Sequence, residues 1–578
     1  MYYSNPKGRY LKKQTYPVSI FIVIFLLSVP LITPTIQSAH INISHQSLLK
    51  SSSQGNLTNI SIENISGGLG ITVIVRNIGD SDLLHIKVSV NVSRGLFVRL
   101  KTSYYEIAHL PRNGSTAIHL SLFGIGLGKL SLPPEITLLL SAPGSVEKKV
   151  RIIAMVFGPF TKITGIYMEN DAFNGYTLFS PEYSTKTLLI NKHGDIVHSW
   201  ESHFIQGLGV YLLENGDLLR SMIPYTNTVF ISGGVTGGVE RYNWNGTLLW
   251  TFNYSDSQHC LHHDIKMLPN GHILMVAWEY KTAQEAINAG RNPNSLPVGS
   301  LWPDHVIEVE PTGSSGGIIV WEWHVWDHLI QDFDATKNNY GVVGQHPELV
   351  DINYGAEDGK ERADWNHINS IDYNEELDQI ILSVHNQHEI WVIDHSTTTE
   401  EAAGHSGGNS DKGGDLLYRL GNPQTYRAGE SSDQKFFGQH DAQWIPQGYP
   451  GQGDILLFNN GEGRPEGQYS SVEEFIPPVD GNGTYYLLPG SAYGPNEPTW
   501  IYTADNPSDF FAGYLSGAQR LPNGNTLICD GDHGVFFEVT QEGKMVWTYR
   551  NTLPNSIQNQ VFKIHCYGPE YPGLKYLT

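Results

Sequence analysis

The stretch LHHDIKMLPNGHILM, residues 261–275, decides the fold. Leu261 to Met267 reads as a strand, Pro269-Asn270-Gly271 as a tight turn, and the run to Met275 as a second strand. The turn and its following strand return along the chain as NGYTLF (174–179), NGDLLR (215–220), LDQIIL (377–382), GDILLF (453–458) and NGNTLI (523–528). A second element joins a glycine turn to a short apolar run, usually with Trp: HGDIVHSW (193–200), NGTLLW (245–250), GGIIVW (316–321), GGDLLYRL (413–420), EPTWIYT (497–503) and EGKMVW (542–547). A third precedes each of these, from TLLINK (187–192) to VFFEVT (535–540). Counting the strand that leads into each turn, every repeat has four strands, and six repeats in one cyclic order indicate a six-bladed β-propeller over residues 160–566. The first turn-strand, at Gly175, lacks a predecessor and the last Trp strand, ending at Trp547, lacks a successor. Pairing the two chain ends in one blade would close the ring and remove free edges.

Upstream, residues 66–156 hold alternating or β-branched runs such as LGITVIVRNIGD and KKVRIIAMVFG, which indicate a small Ig-like β-sandwich serving as a spacer. The fold class is therefore all-β. Residues 40–65 are rich in Ser and Asn and read as a linker. Over residues 1–39, Lys7, Arg9, Lys12 and Lys13 precede the apolar run VSIFIVIFLLSVPLI (18–32), the pattern of a secretory signal or a signal anchor. Nine N-x-S/T sequons, five of them between residues 42 and 91, agree with an exported, glycosylated chain at the cell surface or outside the cell. A formal net charge of −22 argues against nucleic acid as a partner. Of three cysteines, Cys529 and Cys566 could pair, which spacing does not settle. An N-terminal membrane anchor and a homodimer both stay open.

Aligning the lead-in strands puts histidines in register. His263-Asp264 stands seven residues before Asn270, His440-Asp441 opens GQHDAQWIP, and DWNHINSIDYN carries His367 and Asn369. Equivalent strand ends of a propeller converge on one mouth, so three such histidines make a cluster suited to metal binding or to nucleophilic and acid–base work.

The motifs HHDI, DWNHINS, IILSVHNQ and GQHDAQW, in this order, resemble the arylsulfate sulfotransferase family, which uses aryl sulfates in place of a nucleotide sulfate. The resemblance spans about residues 160–566 and implies a β-sandwich followed by a six-bladed propeller. It implies His440 as catalytic nucleophile, His263 and His367 as helpers, and Asn369 as a further donor, with His262 competing for the first helper's place. Where the family has arginine in SSRHQ, this chain reads SVHNQ, so His385 takes the arginine's place and the sulfuryl-binding charge becomes weaker or pH-dependent. Arg464, in GRPEG, could supply the missing charge.

Sulfuryl transfer needs in-line attack and stabilised charge on the sulfuryl oxygens and the departing phenolate. Neutral imidazole is a good nucleophile near neutral pH, so His440 is expected to become N-sulfohistidine, to accept the group from an aryl sulfate and to pass it to a phenol. The reading calls for no cofactor and no metal. Asp441 is expected to point away from His440, since side chains alternate along a strand. The aromatic run VWEWHVWDHLIQDFD (320–334) suits either an aryl-binding lid or a plug on the blade edges, and its His324 and His328 have the i,i+4 spacing of helical metal ligands without a clear third. Competing readings are a non-catalytic surface propeller and a metal-dependent hydrolase.

Overall fold

The computed structural model describes residues 60–577 apart from 80, 94–96, 127–133, 144–146, 169–170, 225–226, 297–298, 356–362 and 556–557. The signal or anchor expected over 1–39, and the linker as far as residue 59, lie outside the described residues. No helix among those described is long and apolar enough to cross a membrane.

The chain is nearly all β. Five four-stranded antiparallel sheets, and a sixth run of four strands that belongs to a larger sheet, follow the order of the repeats. Sheet 2 holds Ile205–Leu212, Leu218–Ile223, Gly238–Tyr242 and Leu248–Asn253. Sheet 3 holds His259–Met267, Ile273–Glu279, Asp304–Pro311 and Gly317–His324. Sheet 4 runs from Ile368–Asn374 out to Tyr418–Leu420, and sheet 5 from His440–Trp444 out to Trp500–Tyr502. Sheet 6 runs from Gly517–Arg520 to Met545–Arg550. Sheet 1 is built from both chain ends: His565–Tyr567 pairs with Tyr176–Phe179, matching Tyr176 to Tyr567 and Leu178 to His565.

The Asn-Gly turns behave as their chemistry requires. Gly271 sits at φ +88° and Gly524 at +88°, a region open to glycine. The Asn270 side-chain oxygen accepts from His272 N at 2.9 Å, tying the turn to its strand.

Two kinds of hydrogen bond run between neighbouring sheets. Along one edge, indoles donate across the gap: Trp200 to Asn243 O, Trp250 to Gly316 O, Trp323 to Gly414 O, the half-buried Trp500 to Gln541 O and Trp547 to Lys192 O, while between sheets 4 and 5 the Tyr418 hydroxyl donates to Gly494 O. The Trp547 bond returns from sheet 6 to sheet 1. On the inside, carboxylates accept from the backbone of the following sheet: Asp264 from Ile371 N, Asp372 from Trp444 N and Asp441 from Ala518 N. The aspartates of the HHD and QHD motifs are thus structural stitches as well as neighbours of histidine.

Two features depart from the sequence reading. Residues 60–65, assigned to the linker, form most of a strand, Ile60–Ser66, because Ile60, Ile62 and Ile65 are all buried. With Ile71–Asn77 and Ser115–Leu120 it makes a three-stranded sheet whose core is shared with the strands Leu83–Ser93, Glu135–Ser141 and Lys148–Gly158. Sheet 6 also does not stop at its fourth strand. Phe160–Met168 pairs with Lys148–Gly158 on one side and with Met545–Arg550 on the other, so one continuous sheet runs from the N-terminal strands into the repeats.

Candidate active site

Strand irregularities bring the histidines together. Pairing slips between Leu261 and Ile265, between Ile368 and Ser370, and between His440 and Gln443. At these bulges His263 has φ +50°, His367 +57° and Asp441 +56°. Left-handed backbone is costly for a side-chain-bearing residue, and a bulge re-aims what it carries. The outcome is a chain of imidazoles, with ring centroids 4.6 Å apart for His263–His367, 5.2 Å for His367–His385 and 5.5 Å for His385–His440. Phe562 covers them, 5.8 Å from His263 and 6.2 Å from His440.

His440 is held in one tautomer. Its Nδ1 lies 2.8 Å from Asn460 Oδ1 and 3.0 Å from Gly438 O. Asn460 Nδ2 donates to Ala512 O and Leu515 O, so both amide hydrogens are committed and Oδ1 can only accept. The ring proton therefore sits on Nδ1, and Nε2 keeps its lone pair with no hydrogen-bond partner among the described residues. Burial pushes this imidazole down to about 4, so it is neutral at ordinary pH.

His367 is set up differently. Its Nδ1 is 2.5 Å from Asp364 Oδ2, which also accepts from Ser232, while Trp278 donates to Asp364 Oδ1. Burial pushes Asp364 up, but the charge and hydrogen bond of His367 hold its carboxyl below the usual range. A buried carboxylate behind an imidazole orients the ring and stabilises positive charge on it.

His263 and His262 share one proton between their Nδ1 atoms, 2.9 Å apart. His262 points away from the cluster. It stacks on Trp278 at 4.0 Å and stands 2.8 Å from Asp304 Oδ1, off the line of a good hydrogen bond. It therefore backs His263, and substrate contact from His262, as the sequence suggested, is corrected. His263, like His385, is depressed well below the ordinary histidine range by burial and by its histidine neighbours.

Three further expectations change. His385 lies in the cluster, with Nδ1 2.9 Å from Asn386 Oδ1, but burial keeps it neutral, so it supplies no titrating charge near pH 6.5. Asn369 is fully buried and donates to Gln439 O at 2.8 Å, which fixes the backbone just before His440. Arg464 turns into its own sheet, to Ser471 Oγ at 2.7 Å and Glu473 Oε1 at 3.3 Å, because that carboxylate is buried and needs a cation. Asp441 sits in the bulge, where strict alternation does not apply; its carboxylate accepts from Ala518 N at 3.1 Å and meets Lys563 Nζ at 3.2 Å. Trp321, Trp323 and Val325 are core residues between sheets 3 and 4, so that part of the aromatic run is a plug. His324 ends a strand beside Glu279 and Glu322, whereas His328 follows a short 3₁₀ turn, so the pair does not share a helix face. The three cysteines are all free.

Several site residues escaped the sequence reading. Asp364 lies three before His367, inside DWNH. Asn460 lies two beyond Phe458, the cross-strand partner of His440. His388 Nδ1 accepts from Gly438 N at 3.0 Å, so its proton is on Nε2. Lys563 bridges Asp264 and Asp441 from the distant C-terminal segment, and nothing local in VFKIHC announces it.

A family model described as Arylsulfotransferase (ASST) matches residues 177–567. No curated protein matches. Among solved structures, a protein of unknown function from Bacteroides caccae is 12% identical over 68% of this chain and 98% of its own, with a TM-score of 0.37. The periplasmic gluconolactonase PpgL of Pseudomonas aeruginosa is 9% identical over 68% and 99%, at 0.34. Apo AztD from Citrobacter koseri is 8% identical over 69% and 98%, at 0.29. Likenesses this faint carry nothing for function.

Proposed function

Because this chain belongs to the arylsulfotransferase family, we propose that it moves a sulfuryl group from a phenolic sulfate ester to a phenolic acceptor through a sulfohistidine at His440. The observation that carries this reading is the bare, neutral Nε2 of a histidine whose tautomer Asn460 dictates. In the first step the Nε2 lone pair bonds to sulfur and the bond from sulfur to the phenolic oxygen breaks, its electrons leaving with the phenolate. The ring, still protonated on Nδ1, becomes cationic, and Asn460 Oδ1 and Gly438 O face that charge. His367, backed by Asp364, is the residue suited to give the phenolate a proton, and His263 to donate to a sulfuryl oxygen. In the second step an acceptor phenol attacks sulfur, the S–N bond breaks, and the phenol's proton returns to the cluster.

The six sheets are read as blades of a six-bladed β-propeller over residues 160–566, closed by the C-terminal strand and preceded by an Ig-like sandwich. The support is the series of side-chain hydrogen bonds between successive sheets, five from indoles and the one from sheet 4 to sheet 5 from the Tyr418 hydroxyl, that returns from Trp547 to Lys192. Export to the cell surface is part of the same reading, supported by exposed sequon residues Asn91, Asn113, Asn245, Asn253 and Asn482, whereas the sequon at Asn64 is buried and unsuited to carry a glycan.

Mass spectrometry of the protein mixed with a chromogenic aryl sulfate alone tests the covalent step. A gain of about 80 Da that an added phenol removes is the expected result. Transfer with no trapped adduct and no ping-pong kinetics would mean direct transfer.

A further inference from the structure

A second histidine cluster lies at the opposite edge of sheet 4 from His440. His328 Nδ1 and His405 Nδ1 converge on the same oxygen, Asp415 Oδ1, at 2.8 and 2.7 Å. The three ligand atoms all lie within 4.8 Å of one another, and among the described residues no other His/Cys/Asp/Glu group does this. The tautomer of His328 is constrained. Its Nε2 is 2.9 Å from Ala402 O, an acceptor only, so Nε2 carries the proton. The other ring nitrogen, Nδ1, faces the carboxylate oxygen, a place that either a proton or a metal ion can fill. An imidazole whose far N–H is tied to a backbone carbonyl is also the usual support of a metal-ligating histidine.

The chain is shaped to allow this approach. A Cβ at Gly414 would lie 2.0 Å from Ala402 O and 2.6 Å from His328 Nε2, so a side chain there would push the imidazole away. His328 is fully buried against Trp323, whereas the His405 side chain is 62% exposed, leaving one side of the cluster open to water.

We propose that His328, His405 and Asp415 bind one divalent transition-metal ion of the zinc type, completed by water, and that it braces the 395–417 loop against the segment after sheet 3. Two imidazoles and a carboxylate suit zinc in chemistry and number. The four strands of sheet 4, at about 4.8 Å each, separate this edge from the inner one by roughly 14 Å, so the ion would be structural and not part of sulfuryl transfer.

The test uses the full chain, stripped with chelator and titrated with Zn²⁺ alone, then with Co²⁺. One equivalent bound, the visible spectrum of four-coordinate Co²⁺, and a melting temperature raised by zinc are expected. His405→Ala, at an exposed position, should fold normally and lose the spectrum and the zinc-dependent melting shift. His440→Ala should keep both. If wild-type protein takes up neither ion, or His405→Ala binds as well as wild type, the three residues form only a proton-bridged ion pair and the metal site is overturned.

Discussion

At His440 the tautomer, and not merely the residue type, is what chemistry requires. Asn460→Leu removes the acceptor that keeps the proton on Nδ1, leaving only Gly438 O. Transfer should slow by about 10²–10³-fold with little change in KM, the size of losing one preorganised electrostatic partner. Single-turnover labelling of the variant checks this, and a loss confined to KM would assign Asn460 to binding. His440→Ala and His440→Asn should fold, yet neither transfer sulfate nor gain mass. The depressed imidazoles also carry a stability consequence. In the unfolded chain histidines titrate near 6.5, whereas His440 in the fold titrates near 4 and His263 and His385 are also lowered. Between those values the unfolded state binds more protons, so stability is full above about pH 6.5 and falls as pH drops toward 4. The slope is about 1.4 kcal/mol per pH unit per proton. Thermal melts across that window should be shallower for His440→Asn than for wild type. No alkaline loss of activity should trace to His385, because its ring is already neutral; profiles of kcat/KM for wild type and His385→Ala should share one shape from pH 6 to 9.

At the level of elements, the inner strands are held by charge as well as by ladders. Lys563 Nζ lies 2.6 Å from Asp264 Oδ2 and 3.2 Å from Asp441 Oδ1, in a buried network that joins sheets 3 and 5 to the C-terminal segment. Burial pushes Asp441 up to about 6, and Lys563 opposes that rise. Lys563→Met should cost about 3–5 kcal/mol, since it leaves buried carboxylates uncompensated. Adding Asp441→Asn should recover part of the loss; denaturant unfolding of both variants measures it. This network shows which part of the site could be read from residues in line. The register of His263, His367 and His440 was visible because each stands at a fixed distance from a turn. Lys563 was not, because its partners are 299 and 122 residues away and a lone lysine in VFKIHC has no periodic signature.

For the whole molecule, the sheet built from both chain ends is the feature on which the proposed ring depends. His565–Tyr567 supplies the inner strand of sheet 1, and Trp547 donates from sheet 6 to Lys192 O. Deleting residues 565–578 should expose the edge of Tyr176–Phe179 and replace one cooperative melt with a broad or split transition. A truncated chain that melts as sharply and at the same temperature as the full one would show that the seam contributes nothing. Trp547→Phe, a gentler change, removes the indole N–H and should cost about 1–2 kcal/mol.

Order along the chain, turn chemistry and the period of the repeats were enough to place most strands of the six sheets, His565–Tyr567 excepted, since Asn-Gly turns, β-branched runs and Trp positions act through neighbours a few residues away. They were also enough to single out the histidines, because a repeat converts equal spacing into equal position. What they could not convey was direction. His262 and His263 are adjacent in sequence, yet a bulge with positive φ sends one toward Asp304 and Trp278 and the other toward His367. Arg464 looked available for an anion until Glu473, nine residues on, was seen to hold it. The Phe160–Met168 strand, which welds the N-terminal sheet to sheet 6, depends on a partner at 545–550 that no local pattern indicates. Side-chain direction and long-range pairing are settled by which buried charges and hydrogen-bonding groups must find partners once the sheets have packed, and that requirement exists only in three dimensions.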